Sequence, residues 1–404
     1  MSTSNSRRVF LGATAAVAAR SAMAGFPANE TINIACIGTG GRCRHLMQGL
    51  QKIPTAKVIA LCDVWDEAAA KAKPLADKNA ETTRDFRRVL ARRDVDAVLI
   101  ATPDHWHAPL VLEALAAGKD VYCEKPLTHK PGEGQALINA NAVHRRVVQV
   151  GTQQRSMPHI QEAKKIVEEG KLGRIFRADL TWNRNIGRGE DKYEVNPSSV
   201  DWRAFLGNAP LQPFNPYKMR EWRWFWDFGG GLFTDLMVHW IDVVHWLVSA
   251  NAPDFALSFG DFIHAAGRWE TPDTVQTLLH YRLPPSGSPL QAHYEGTFSN
   301  AFRGAMTVLM GTEATLYIDR GRYEFIPERM KPGRIDKILS KKPTNRGADF
   351  YDEPDGEKLH LENWLSCVKS RKPTTAPIEA GVLGAEAAQL ANAALRFGGM
   401  ARRA

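Results

Sequence analysis

Residues 31–43 read TINIACIGTGGRC. The apolar run TINIACI suits a short buried strand of a parallel sheet, and it passes directly into G-T-G-G-R-C and then into residues 42–51, which can start a helix. A strand that turns through glycines into a helix is the opening unit of a doubly wound α/β domain. Gly38 allows the tight turn, and Gly40 lets backbone amides approach a pyrophosphate at the helix N-terminus. Gly41 and Arg42, next in the turn, join the candidate cofactor-binding residues. The pattern is G-x-G-x-x-G with Cys43 in the third glycine position, where close helix–strand packing needs a small residue.

Moving outward, a second apolar run, KVIALCD, ends in Asp63, 25 residues after Gly38. An acidic residue there accepts hydrogen bonds from the adenosine ribose hydroxyls and repels a 2′-phosphate, which favours NAD over NADP. Residues 95–127, VDAVLIATPDHWHAPLVLEALAAGKDVYCEKPL, hold two more strands around an amphipathic helix from about Ala108 to Gly118. A further strand, RVVQVGTQ, closes the domain near Gln153. Alternating strands and helices imply a parallel sheet with right-handed crossovers. Ligands of such sheets lie beyond the carboxyl ends of the strands, where Thr102-Pro103 and Glu124-Lys125-Pro126 fall.

A Rossmann turn followed by A-T-P-x-x-x-H and then E-K-P resembles the glucose–fructose oxidoreductase, inositol dehydrogenase and rhizopine-catabolism (Gfo/Idh/MocA) family. The resemblance covers the chain after its first two dozen residues, loosely in the second half. It implies that Lys125 contacts the reacting hydroxyl and the nicotinamide ribose, and that Thr102, Pro103 and His107 line the cofactor site with Glu124. His105 and His107 also spell H-x-H, but no third ligand is near in sequence, and no metal is expected.

In the second half, GRIFRADLTWN at 173–183 begins a series of alternating stretches at 255–268, 274–282, 290–299 and 303–318, separated by turns such as PPSGSP and GTEA. These predict a largely antiparallel sheet, as in the family's second domain, which covers the nicotinamide and often forms oligomer contacts. From Glu357 onward the pattern is helical. The fold class is therefore α/β: an N-terminal Rossmann domain (residues 25–153) and an α+β domain with a large open, mainly antiparallel sheet (154–375). A C-terminal helix (376–404) returns toward the first domain.

Within the second half stands WRWFWDFGGGLFTDLMVHWIDVVHWLV, residues 222–248. After the glycines, residues 232–248 have helical periodicity, which puts Asp235 and His239, at i and i+4, on one face. The resemblance implies that this D-x-x-x-H pair completes a Lys/Asp/His set. Oxidising a secondary alcohol sends a hydride to nicotinamide while the hydroxyl proton leaves, and an imidazole can take that proton near neutral pH. His239 is assigned that role, with Asp235 orienting it and Lys125 donating to the oxygen. On spacing alone an ordinary Asp–His helix pair is the better reading, and the Rossmann turn with E-K-P reverses that; a D-x-x-x-H-x-x-D metal site through Asp242 is the lesser alternative. Trp182 and Trp224 offer faces for sugar stacking, or core packing, and Arg155 in GTQQRS reaches the substrate cleft or sits on the surface.

The 404 residues are 44% hydrophobic, enough for two cores. The formal charge is +8, and Arg7, Arg8 and Arg20 contribute three of those charges. The rest are scattered, which gives no nucleic-acid footprint. Five cysteines show no C-x-x-C pair and no metal spacing, as in a protein that folds in a reducing compartment. Residues 6–11, SRRVFL, followed by a short apolar run and Ala22-Met23-Ala24, resemble a twin-arginine signal peptide cleaved after Ala24. The expected partners are the twin-arginine translocase, a carbohydrate or polyol substrate, and further copies of the chain in a dimer or tetramer. The expected location is the periplasm or another exported site. Export of a folded protein suits a retained NAD reset within each cycle. Two activities fit: an NAD-dependent oxidoreductase acting on a sugar, polyol or sugar derivative, or a glycoside hydrolase using NAD for transient oxidation and elimination. A non-catalytic scaffold is disfavoured by the intact Lys/Asp/His set.

Overall fold

The computed structural model describes residues 30–186, 192–330, 332–339, 346–347 and 355–403. The twin-arginine-like leader lies outside the described residues. Six strands form the first sheet: β1 (Ile32–Ile37), β2 (Ala56–Cys62), β3 (Glu81–Thr83), β4 (Ala97–Ile100), β5 (Asp120–Cys123) and β6 (Val148–Val150). All pair in parallel in the order β3-β2-β1-β4-β5-β6. The central strands read as unbroken apolar runs because both their faces are covered. On one face lie α1 (Gly41–Leu50) and a later helix; on the other lie α2 (His107–Ala116) and α3 (Glu133–His144). Strand order reverses across β1 and β4, so the crevice beyond their carboxyl ends is where a ligand fits.

After α4 (Pro158–Glu168) the chain builds a second, nine-stranded sheet. Its strands are β7 (Ile175–Asn183), β8 (Phe255–Asp261), β9 (Thr274–Leu283), β10 (Ser288–Thr297), β11 (Ala305–Gly311), β12 (Ala314–Asp319), β13 (Arg322–Pro327), β14 (Ile335–Ile338) and β15 (Met400–Arg402). The order is β14-β13-β12-β11-β7-β10-β9-β8-β15, with β7 and β10 parallel and every other pair antiparallel. Burial alternates residue by residue in β9, as a sheet with one face on a core requires. That core is Leu180, Leu279, Leu290 and Leu309 against Trp240, Ile241 and Val244 of α5 (Val238–Val248).

The C-terminal segments join the two domains. Helix α6 (Gly356–Ser370) falls in the half that the sequence assigns to the second domain, yet its Leu361, Trp364 and Leu365 pack with Leu46 and Met47 of α1. Helix α7 (Ile378–Arg396) contributes Ile378 and Val382 to the first core, and Ala387, Ala388 and Ala391 to the second. Strand β15 then closes the second sheet beside β8. The single stretch 303–318 is two strands turning at Gly311–Ala314, and β3, β13, β14 and β15 are additions to the sequence reading.

Candidate active site

A cleft of about 1090 Å³ runs from the turn after β1 to the first turns of α5. At one end Gly38 adopts φ +78°, and a Cβ there would stand 2.7 Å from the Thr102 backbone nitrogen, so only glycine lets these two strand ends meet. Gly40 caps α1, and a Cβ there would face open space. This glycine turn is a cradle in which backbone amides and a helix N-terminus reach a pyrophosphate. Cys43, in the third glycine position, is buried under α1. Asp63 lines the cleft after β2, with Oδ2 accepting from Thr39 N (2.6 Å) and Thr39 Oγ1 (3.0 Å), and Oδ1 from Trp65 N (2.9 Å). Burial pushes the Asp63 carboxyl up, against these hydrogen bonds. The residues present fit a dinucleotide, with Asp63 beside the place of a ribose.

Arg42 leaves the helix start to donate to Glu124 Oε1 at 2.8 Å and to Glu357 of α6. His107 holds two strand ends together: Nδ1 meets the Pro126 carbonyl at 2.7 Å and Nε2 the Thr102 carbonyl at 2.9 Å. Burial lowers its pKa. His105 instead bonds the Phe205 carbonyl at 2.9 Å and packs against Phe205 and Phe228. The H-x-H segment is a 3-10 turn running into α2 rather than a strand, so its two rings address different segments.

At the other end Lys125, Asp235 and His239 meet. Lys125 Nζ donates to the Asp235 carbonyl (2.7 Å) and to Asp235 Oδ1 (3.0 Å), and Arg223 Nε donates to the same Oδ1 at 3.1 Å. Burial raises the Asp235 carboxyl, but the Lys125 and Arg223 charges outweigh it and hold the group well below the usual carboxylate range. His239 is 5% exposed, and its ring lies 5.2 Å from that of Trp182. Burial first, and then the Lys125 charge, press its pKa well below 6.5, so the ring is neutral.

One expectation is corrected. Residues Phe233–Met237 form a π-helical turn before α5, and no hydrogen bond joins Asp235 to His239 among the described residues. The Asp235 carboxylate hydrogen-bonds Lys125 and Arg223, and His239 Nδ1 has no partner among the described residues. Asp235 therefore positions the lysine and not the histidine.

The candidate substrate residues Arg155, Trp182 and Trp224 lie outside the cleft lining. Arg155 is buried in a two-pronged ion pair with Asp242, both N–O distances 2.7 Å. The same pair makes Asp242 a salt-bridge partner and not a metal ligand. Trp182 is wholly buried behind His239, and Trp224 stacks on Trp269 with ring centres 4.4 Å apart. Reasoning from sequence passed over Arg223, which lines the cleft from among the tryptophans of EWRWFW, and Asp104, buried outside the cleft lining within reach of the Lys125 charge, its carboxyl pushed well up by burial.

Residues 32–152 match a model of the Gfo/Idh/MocA oxidoreductase family, its NAD-binding Rossmann fold, and residues 160–317 match that family's C-terminal domain. The chain belongs to the Gfo/Idh/MocA oxidoreductase family. It is an NAD-dependent oxidoreductase by family. An inositol 2-dehydrogenase of Acidiphilium cryptum is 38% identical over 61% of this chain and 63% of its own length. For a second inositol dehydrogenase, from Shouchella clausii, the match spans 54% of each chain at 29% identity, so the alignments reach about half to two thirds of these relatives. Levoglucosan dehydrogenase in complex with NADH and levoglucosan superposes with a TM-score of 0.70 at 20% identity, covering 92% of this chain and 99% of that one, and shows the same fold.

Proposed function

We propose that the protein oxidises a secondary hydroxyl of a sugar, polyol or sugar derivative at the end of the cleft where Lys125, Asp235 and His239 meet. That juxtaposition, continuous with the glycine turn, carries the reading. The names of the relatives, inositol and levoglucosan dehydrogenases, support the substrate class. Bound NAD supplies the hydride acceptor. Lys125 spends two donors on Asp235, which leaves its third N–H for the substrate oxygen as alkoxide character grows. Neutral His239 has a lone pair to take the hydroxyl proton, so the carbinol loses hydride and proton and becomes a carbonyl. The test is substitution: Lys125→Ala and His239→Ala should each abolish turnover while the nucleotide stays bound. Near-normal rates in either would sink the assignment.

Export through the twin-arginine route belongs to the same reading, supported by SRRVFL at residues 6–11. A folded protein carrying NAD out of the cytoplasm has reason to retain it and to reset it in each cycle. That requirement also favours the second activity, a glycoside hydrolase that oxidises its sugar transiently, eliminates the aglycone, and returns the hydride. Mass spectrometry of nucleotide released from protein isolated from the periplasm tests export and retention together; rapid loss of NAD on dialysis counts against retention. Homo-oligomer formation is supported by Phe176, Phe259, Ile335 and Ile338, which the second sheet leaves exposed.

A further inference from the structure

Arg223 lines the cleft beside Lys125, Asp235 and His239. Its Nε donates to Asp235 Oδ1 at 3.1 Å, and its guanidinium lies over the Trp222 ring, 4.3 Å from the ring centre. These two contacts fix the plane of the fork. Its Nη1 and Nη2 edge meets no acceptor among the described residues, and the side chain is 37% exposed toward the cleft.

The charges here do not cancel. Asp235 is one carboxylate receiving two cations, Lys125 and Arg223. His239 is kept neutral, and Asp104 beneath is held toward its neutral acid by burial, so neither restores balance. Arg184 also lines this cleft and its charge acts on Asp235 and His239, and a half-closed pocket with cations in excess is completed by an anion. A guanidinium presenting a free, pre-oriented N–H edge binds a planar carboxylate through two parallel hydrogen bonds, which a lysine cannot do.

We propose that the substrate is a sugar acid, its carboxylate bound by the free edge of Arg223 while its carbinol lies between Lys125 and His239. This rests on the oxidoreductase reading above and narrows its substrate. The test adds gluconate, glucuronate, inositol and levoglucosan separately to purified protein with NAD and follows reduced nicotinamide, in the wild type, Arg223→Gln and Arg223→Lys. The wild type should turn over a sugar acid with kcat/KM at least roughly tenfold above the neutral compounds, the lower end of what hydrogen bonds to a charged group contribute. Arg223→Gln should raise KM for the acid about tenfold to a hundredfold and erase that preference, and Arg223→Lys should restore only part of it. Neutral compounds preferred by the wild type would overturn the sugar-acid inference and leave the oxidoreductase reading standing; this arm does not depend on any variant folding. Loss of NAD retention in Arg223→Gln, with the acid preference intact, would assign the free edge to the cofactor and likewise overturn it. Reduction by none of the four compounds would count against the oxidoreductase reading itself.

Discussion

His239 is surrounded by groups that oppose its protonation: burial, and the charge of Lys125. A depressed pKa means that the neutral, proton-accepting form persists to lower pH. The kcat/KM profile of the wild type should therefore stay flat through pH 6.5 and fall only well below it; a half-drop near 6.5 would show an ordinary histidine. Asp235 holds Lys125 and has no hydrogen bond to His239. Asp235→Asn should then lower kcat about tenfold to a hundredfold, in the range for losing a positioning contact, and leave the acid limb of the profile where it was. A displaced acid limb would restore the Asp–His dyad read from sequence. Residue types and their chemistry were legible at this scale, since Lys125, Asp235 and His239 do converge. Which neighbour each one serves was not, because helical spacing carries no sign of Lys125 and Arg223, which come from other segments to take the Asp235 carboxylate.

At the scale of elements, the strand–glycine–helix unit was readable because its parts are local. The turn demands a positive φ at Gly38 and an open face at Gly40, and these two demands separate experimentally. Gly38→Ala places a methyl against Thr102 at a positive φ, and should cost more than about 1 kcal/mol of stability, read as a lower denaturation midpoint. Gly40→Ala, with nothing within 4 Å, should leave that midpoint nearly unchanged and weaken NAD binding. Equal stability losses in the two variants would contradict a ligand-facing role for Gly40. Strands of the second sheet with period-2 patterns were legible, whereas β3, β14 and β15 were not. Those three are short edge or near-edge strands with half-exposed residues, and they leave little periodicity to read.

Across the whole molecule, helices α6 and α7 tie the domains together, and the Arg155–Asp242 pair lies in that junction, with Arg155 also reaching the Thr375 carbonyl. A lone GTQQRS offered no cue to a partner 87 residues away. Arg155→Met should lower stability by about 3–5 kcal/mol, the usual cost of stranding a buried charge, and leave KM for the sugar unchanged; a raised KM with intact stability would return Arg155 to the substrate site. The interior also holds many neutral histidines. Burial lowers His105 and His245 to about 3 and His360 to about 4, and lowers His107, His129, His159 and His239 as well. Each binds a proton when unfolded but not when folded below about pH 6.5, so each contributes stability that is lost as pH falls through that value, at up to about 1.4 kcal/mol per pH unit. Asp63, Asp96 and Asp104, whose carboxyls burial raises, act in the opposite sense and are fewer. Thermal melts should therefore drop steadily from pH 7 to pH 5; a midpoint that rises over that interval would refute the neutral interior.

The proposed reaction is one event, the transfer of hydride from a sugar carbinol to NAD in the cleft between the glycine turn and its Lys125–His239 end. Its most direct test is a single-turnover mixing experiment, in which the NAD-loaded protein meets its sugar and reduced-nicotinamide absorbance is followed for the wild type and His239→Ala. A rapid rise in the wild type, and none in a variant that still holds its nucleotide, is the expected result. No reduction with any secondary alcohol of the class, or the same rise without His239, would contradict it.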